Sequence, residues 1–391
     1  MRYNFDKVID RSGTSAEKVE GLKHIWGRTD LIPLWVADMD FATAPFVTDA
    51  IRKRCENEVL GYTGKPDSYY NAIINWVKQR YDLVVVKEMI NFVPGIVPGI
   101  GMAMNCFTQK GDKVMIQPPV YHPFAWVTTR NERTLVTNPL KWENGMYRMD
   151  LDTFREQIKG CKLFILCNPH NPGGVVWTEA ELRAIADICY DEKVLVFSDE
   201  IHADLTLPPH THRPFATVSE KARMNSVTFM SPSKAFNMPG LSASHALIFN
   251  EDLRKRFRIY MDAGELDMGH VFAFLSVEAA YSHGTEWLDQ CLAYIQGNID
   301  FVDDFLKNHA PKIKAIRPEA SYLVWLDCRE LKLSQKDLNE FFVDKAHLAL
   351  NDGEMFGKEG IGFMRLNVAS PRCIIEKAMK QLADAYQLYI K

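Results

Sequence analysis

Between residues 113 and 250 the chain repeats one pattern: a short run of apolar residues, a knot of polar and turn residues, then a longer stretch. KVMIQPP (113–119), KLFILCNP (162–169), VLVFSDE (194–200), NSVTFMSPS (225–233) and SHALIFN (244–250) are short, rich in β-branched or aromatic residues, and uniformly apolar. Strands that alternate apolar and polar residues have one wet face; strands like these are buried on both. Between two of them lies TEAELRAIADICYDE (178–192). Thr178 and Glu181 make an S/T-x-x-E capping box, and Leu182, Ile185, Ala186 and Cys189 fall on one helical face. Strand and helix in alternation predict an α/β fold, with a mainly parallel sheet flanked by helices. The last hundred residues read differently, as a long helix (284–309), then KIKAIRP, YLVWLDC, a helix near 334–345, GIGFMRLNVA and a final helix from about 371. They predict a smaller α+β domain.

A chain of 391 residues, 47% hydrophobic and 25% charged, can bury a large core over two or three domains. A formal charge of −4 gives no global attraction to nucleic acid or an anionic membrane. The longest uncharged run, residues 89–109, is broken by Pro94, Gly95, Pro98, Gly99 and Gly101, so it reads as strand, turn and helix start rather than a membrane span. The N-terminus has no apolar stretch suited to a signal peptide. The eight cysteines form no CxxC pair and sit mostly among apolar neighbours, which predicts reduced thiols in or near a core and a cytoplasmic setting.

In an open α/β sheet, ligands bind beyond the carboxyl ends of the strands, and those ends are crowded with polar residues. Tyr121 and His122 follow the first run, Asn168 to Gly174 the second, Ser198 to His202 the third, and Ser231 to Lys234 the fourth. A lysine leaving a core strand can be desolvated into a nucleophilic amine, or be a surface lysine. Asp199 is either paired in a cleft or a cap for the following turn. Asn171 is a turn residue by composition, and Tyr121 is either a platform for a ring or core. PGIVPGIG offers free N–H groups at a helix start, though without GK[ST] or a full GxGxxG. Arg365, on an apolar strand with Phe363 and Asn367 on its face, needs an anion: a structural carboxylate or a substrate's. Asp199, Glu200, His202 and Asp204, or His210 and His212, lack a second cluster to complete a metal site. HExxH and GxSxG are absent.

In order, Tyr121, Asn171-Pro172-Gly173, Asp199, Ser231-x-Ser233-Lys234 and Arg365 resemble the fold-type I pyridoxal-phosphate enzymes of the class I/II aminotransferase superfamily. PLWVADMDF (33–41), LGYTG (60–64), IQPPVYHPF (116–124), SDEIHADL (198–205) and SPSKAFNMPGL (231–241) resemble its carbon–sulfur β-lyase branch, which cleaves cystathionine and related cysteine thioethers. The resemblance runs from about Leu34 to the C-terminus. It implies a seven-stranded-type sheet in a large domain (45–283) and a small domain built from 1–44 plus 284–391. It implies that Lys234 carries pyridoxal 5'-phosphate and moves protons, that Asp199 pairs with the ring nitrogen, and that Asn171 bonds the phenolic oxygen. It implies that Tyr121 stacks on the ring, with His202 beside it. The N–H groups of Ile96 and Val97, with Ser231 and Ser233, would hold the phosphate, and Tyr62 would reach the phosphate of a neighbouring subunit in a homodimer. Arg365 would bind the α-carboxylate of a small amino-acid substrate, helped by the Ala37-Asp38 backbone. Ser242 stands where many aminotransferases place an arginine against the phosphate. The Asn171–Pro172 bond is expected to be cis. An aminotransferase uses the same residues; a pyridoxal-phosphate-binding regulatory protein and a dinucleotide-binding enzyme are further alternatives.

Overall fold

The computed structural model describes residues 2–390. Seven strands make the central sheet: β1 (Ile90–Val93), β2 (Lys113–Ile116), β3 (Thr134–Thr137), β4 (Cys161–Cys167), β5 (Leu195–Asp199), β6 (Ser226–Met230) and β7 (Ser244–Leu247), in the spatial order β1-β7-β6-β5-β4-β2-β3. β6, β5, β4, β2 and β3 are mutually parallel, and β7 runs antiparallel to both β6 and β1. The last apolar run is therefore a reversed strand inside an otherwise parallel sheet, which its composition did not reveal.

The uniform apolarity of these strands has the expected cause. Leu163, Ile165, Phe197 and Phe229 pack on one face against the helix Ile96–Phe107, while Phe164, Leu166 and Val196 pack on the other against the helix Glu179–Asp191. Each such side chain contributes roughly 1.5–3 kcal/mol by leaving water. The capping box of the second helix is present: Thr178 accepts from the Glu181 N–H, and Glu181 accepts from the Thr178 N–H.

A second sheet of four strands follows: β8 (Lys314–Ile316), β9 (Leu323–Asp327), β10 (Asn351–Asp352) and β11 (Phe363–Asn367), in the order β8-β9-β11-β10. The long helix Thr285–His309 and the last helix Arg372–Ile390 pack against each other beside it. The N-terminal segment joins this part through Ile32–Pro33, which pairs with Leu348–Ala349. β11 is buried along its whole length, Arg365 included.

Five of the eight cysteines are buried and all are free, but Cys55 and Cys373 are exposed. Both sit near helix ends, Cys55 closing Pro45–Cys55 and Cys373 opening Arg372–Ile390. The expectation of thiols in or near a core holds for the five buried cysteines and fails for these two. Among the described residues, no helix is long and apolar enough to cross a membrane.

Candidate active site

β1, β2, β4, β5 and β6 end, and β7 begins, at one edge of the sheet, around a cavity of about 200 Å³. Tyr121, Asn171, Asp199, His202, Ser233 and Lys234 all line it. So do Ile96 and Val97, at the start of their helix, and Ala37, from the N-terminal segment. Gly95 precedes that helix at φ +121°, a backbone conformation open to glycine and strained for other residues. The first N–H groups of the helix have no intrahelical acceptor and face the cavity as donors.

The charges are unusual. Asp199 is buried at the end of β5, and its carboxyl is pushed up to about 7, chiefly by burial, with the Ile201 N–H opposing and the Glu200 charge adding to the rise. The Ile201 N–H donates to Asp199 Oδ1 at 3.1 Å, so the turn-capping role is real as well. Burial first, and then the Arg365 charge, bring Lys234 down to about 8. Its Nζ donates to the Ala37 carbonyl at 2.5 Å. His202 is driven down to about 3, by burial and then by Lys234 and Arg365, so its ring is neutral at pH 7.

Arg365 is 3% exposed and has no carboxylate partner among the described residues. It donates to Asn171 Oδ1 at 3.1 Å, the Trp35 carbonyl at 3.1 Å and Asn351 Oδ1 at 2.5 Å, and lies 4.8 Å over the Phe356 ring. Its Nε, like His202 Nδ1, is buried without a hydrogen-bond partner. Burial lowers its pKa to about 10. An unpaired buried guanidinium is costly, and a ligand carboxylate offsets that cost.

The remaining expected residues lie elsewhere. Ser231 is one layer back: its hydroxyl lies 2.7 Å from the Ala243 carbonyl and accepts from the Ser233 N–H at 3.1 Å. The Asp38 carboxylate turns away to Arg11 at 2.6 Å, and its carbonyl accepts from Asn367. Tyr62 is 98% exposed and rims a different cavity, of about 680 Å³, with Asp267 to Val271. Ser242, at φ +47°, does line the cofactor-sized cavity. The Asn171–Pro172 bond is cis. His210 and His212 face different carboxylates, Glu319 and Glu200, and among the described residues no group of three His, Cys, Asp or Glu side chains is placed to hold a metal.

Sequence reasoning missed Trp35, Asn351 and Tyr322, whose hydroxyl donates to the Ala37 carbonyl at 3.0 Å. It also read Cys167 only as a thiol in or near a core. This thiol lines the cavity and accepts from the Asn171 N–H at 3.3 Å. Its one signal was position, directly beside Asp199 in the register of β4 and β5.

Residues 29–382 match the family "Aminotransferase class I and II", and the chain belongs to that family. Among its relatives, cystathionine beta-lyase PatB of Bacillus subtilis (strain 168) is 38% identical over 98% of this chain and 99% of its own length. Two solved structures superpose closely. Cystalysin from Treponema denticola, which contains a pyridoxal 5'-phosphate cofactor, has a TM-score of 0.96 at 34% identity, covering 100% of both chains. The pyridoxal-phosphate-bound C-S lyase from Staphylococcus hominis has a TM-score of 0.91 at 36% identity, covering 99% of this chain and 98% of its own.

Proposed function

We propose that the chain is a pyridoxal 5'-phosphate-dependent carbon–sulfur β-lyase that cleaves L-cystathionine or other S-substituted L-cysteines to a thiol, pyruvate and ammonia. The observation that carries this reading is a partially neutral Lys234 in the cavity, within reach of the charge of a buried Arg365 that has no carboxylate partner, in a chain whose relatives include carbon–sulfur lyases. The residues fit the cofactor. Asp199 is a buried carboxyl facing the cavity, the position a pyridine nitrogen would take, and the helix at Ile96 offers free N–H groups suited to a phosphate. Tyr121 presents a ring to the same space.

When bound, the cofactor draws electrons from the Cα of an attached amino acid. Arg365 grips the α-carboxylate through its planar N–H pair and so fixes which Cα bond faces the ring. Lys234 Nζ, held near pKa 8, spends enough time neutral at pH 7–8 to take the Cα proton. Asp199 keeps a proton at the ring nitrogen. Neutral His202 and Tyr121 narrow the space around the ring and exclude water. A thiolate at Cβ could then depart; an aminotransferase would use the same residues.

We place the active form as a homodimer, Tyr62 of one copy reaching the phosphate end of the other. Val59, Leu60 and Tyr62 are all exposed on one loop, as expected of a surface that a second copy covers. We also take 45–283 as the large domain, 1–44 plus 284–391 as the small one, and the cytoplasm as the location, in keeping with eight free thiols. The decisive experiment is incubation with L-cystathionine and assay of pyruvate, with and without a 2-oxo acid. Pyruvate without the 2-oxo acid is expected; turnover only in its presence would make the chain an aminotransferase.

A further inference from the structure

Beneath Asp199 lies a buried carboxylate–imidazole pair that the reaction itself does not use. Glu200 and His212 have side chains 0% and 1% exposed, with His212 Nε2 2.8 Å from Glu200 Oε2. The other oxygen, Oε1, accepts from the Ser198 hydroxyl and from the Phe215 N–H, both at 2.8 Å. His212 comes from the irregular stretch between His210 and Phe215, and its Nδ1 has no hydrogen-bond partner. That arrangement suits a neutral ring with its proton on Nε2, since a second buried N–H left bare at Nδ1 would be costly. Glu200 is then a net negative charge, one residue from Asp199.

A buried charged group and its hydrogen-bond partner supply little stability compared with apolar residues of the same volume. What this one supplies is geometry and charge. β5 ends at Asp199, and the next three residues must turn so that Asp199 and His202 both enter the cavity. Glu200, between them, points the other way and is tied by three donors from three places. Its own N–H donates to the Phe229 carbonyl at 2.9 Å, and its carbonyl accepts from Ala203 at 3.0 Å. The turn is thus fixed at the residue that faces away from the site.

We propose that Glu200 and His212 are a positioning pair for Asp199, locking the Asp199–His202 turn and keeping a negative charge beneath it so that a proton stays at that edge of the site through neutral pH. The groups around this edge are few. Tyr81 lies edge-on to His212 at 5.5 Å and donates to Asp204. Asp204 also accepts from Trp76 Nε1, and Arg80 acts on Asp204 through its charge. On the cavity side Asp199 faces Lys234, Tyr121 and Cys167. Of the carboxylates, Glu200 is the one that raises the proton affinity of Asp199.

The proposal rests on the pyridoxal-phosphate reading, and its test separates the two. Protein loaded with pyridoxal phosphate labelled with 15N at the ring nitrogen is titrated by NMR, following the nitrogen shift with pH. Failure of the wild-type chain to take up the cofactor would sink the reading and the proposal with it. Given uptake, Glu200→Gln, which still accepts from Ser198 and Phe215 but carries no charge, should lose the ring-nitrogen proton about one pH unit earlier. His212→Leu removes a donor and should weaken cofactor retention about tenfold, while His212→Gln, which still donates, should restore it to within about twofold. An unchanged midpoint in Glu200→Gln, or equal weakening by His212→Leu and His212→Gln, would reduce the pair to packing and overturn the proposal.

Discussion

Arg365→Lys tests the substrate grip most directly. The guanidinium is held by Asn171, Asn351 and Trp35 through its two terminal nitrogens, leaving Nε unpartnered for a ligand. A lysine keeps the charge and can satisfy some of these oxygens, but one ammonium cannot offer two parallel N–H groups to a carboxylate. The loss is one charge-assisted hydrogen bond, about 1.5–3 kcal/mol, or roughly 10- to 150-fold in kcat/KM. The α-carboxylate is not altered as the Cβ–S bond breaks, so it is held alike before and during reaction. The loss should therefore fall on KM, with kcat changed by less than about threefold. Pyruvate formation over a range of S-substituted cysteine concentrations separates the two constants, and a thermal melt of the same sample reports folding. If KM stays put while kcat collapses, Arg365 serves the chemistry and not the grip, and the argument from its missing carboxylate fails.

Three further outcomes are expected. In the cofactor-free protein, Asp199 holds its proton more tightly than an unfolded aspartate does, so folding binds a proton between pH 4 and 7 and its stability contribution falls as pH rises through that window. Asp199→Asn should remove up to about 4 kcal/mol of that fall, making the variant the more stable one at pH 8 and equal to the parent below pH 4; a pH-independent difference in denaturant midpoint would contradict this. Borohydride treatment of the cofactor-loaded protein should leave the label on the peptide containing Lys234, with none retained in Lys234→Ala; label on another lysine would reassign the site. Mixing inactive Tyr62→Ala and Lys234→Ala chains should restore about a quarter of wild-type activity, since half the dimers then carry one intact site; no recovery after subunit exchange would place Tyr62 outside the neighbouring site.

The parts of this molecule legible in sequence are those whose cause is local. The buried strands show because both faces are dry, and the Glu179–Asp191 helix shows because its capping box lies within four residues. Lys234, Asp199, Asn171 and Tyr121 were found because each follows such a strand within a few residues. Trp35 and Tyr322 were not, because nothing in their neighbourhood signals a partner hundreds of residues away, and Asn351 was not, because its partner Arg365 is brought opposite it only by the pairing of β10 with β11. Arg365 was read as a guanidinium set in an apolar strand beside Phe363 and Asn367, and all five residues of that strand are buried, with β11 paired on both edges. The exposure of Cys55 and Cys373 escaped because the cysteines were read together: Cys55 stands in the charged run RKRCENE, and Cys373 beside Ile374 and Ile375 on the first turn of a helix.

The reversed strand β7 also sets a clock on the molecule's assembly. β1, at residues 90–93, has its sheet neighbour at residues 244–247. At ordinary rates of synthesis the ribosome needs roughly ten to thirty seconds to make the intervening chain. Until β7 arrives, β1 lacks its pairing partner and β6 has an open, apolar edge, the condition under which nascent chains pair with one another. Lys234 lies in the loop that β7 closes, so the residue that would hold the cofactor is among the last at this edge to be fixed. Cofactor capture would then mark the closing of the central sheet, and a chain arrested before residue 244 would have its cofactor residues, Lys234 included, and no site to hold them.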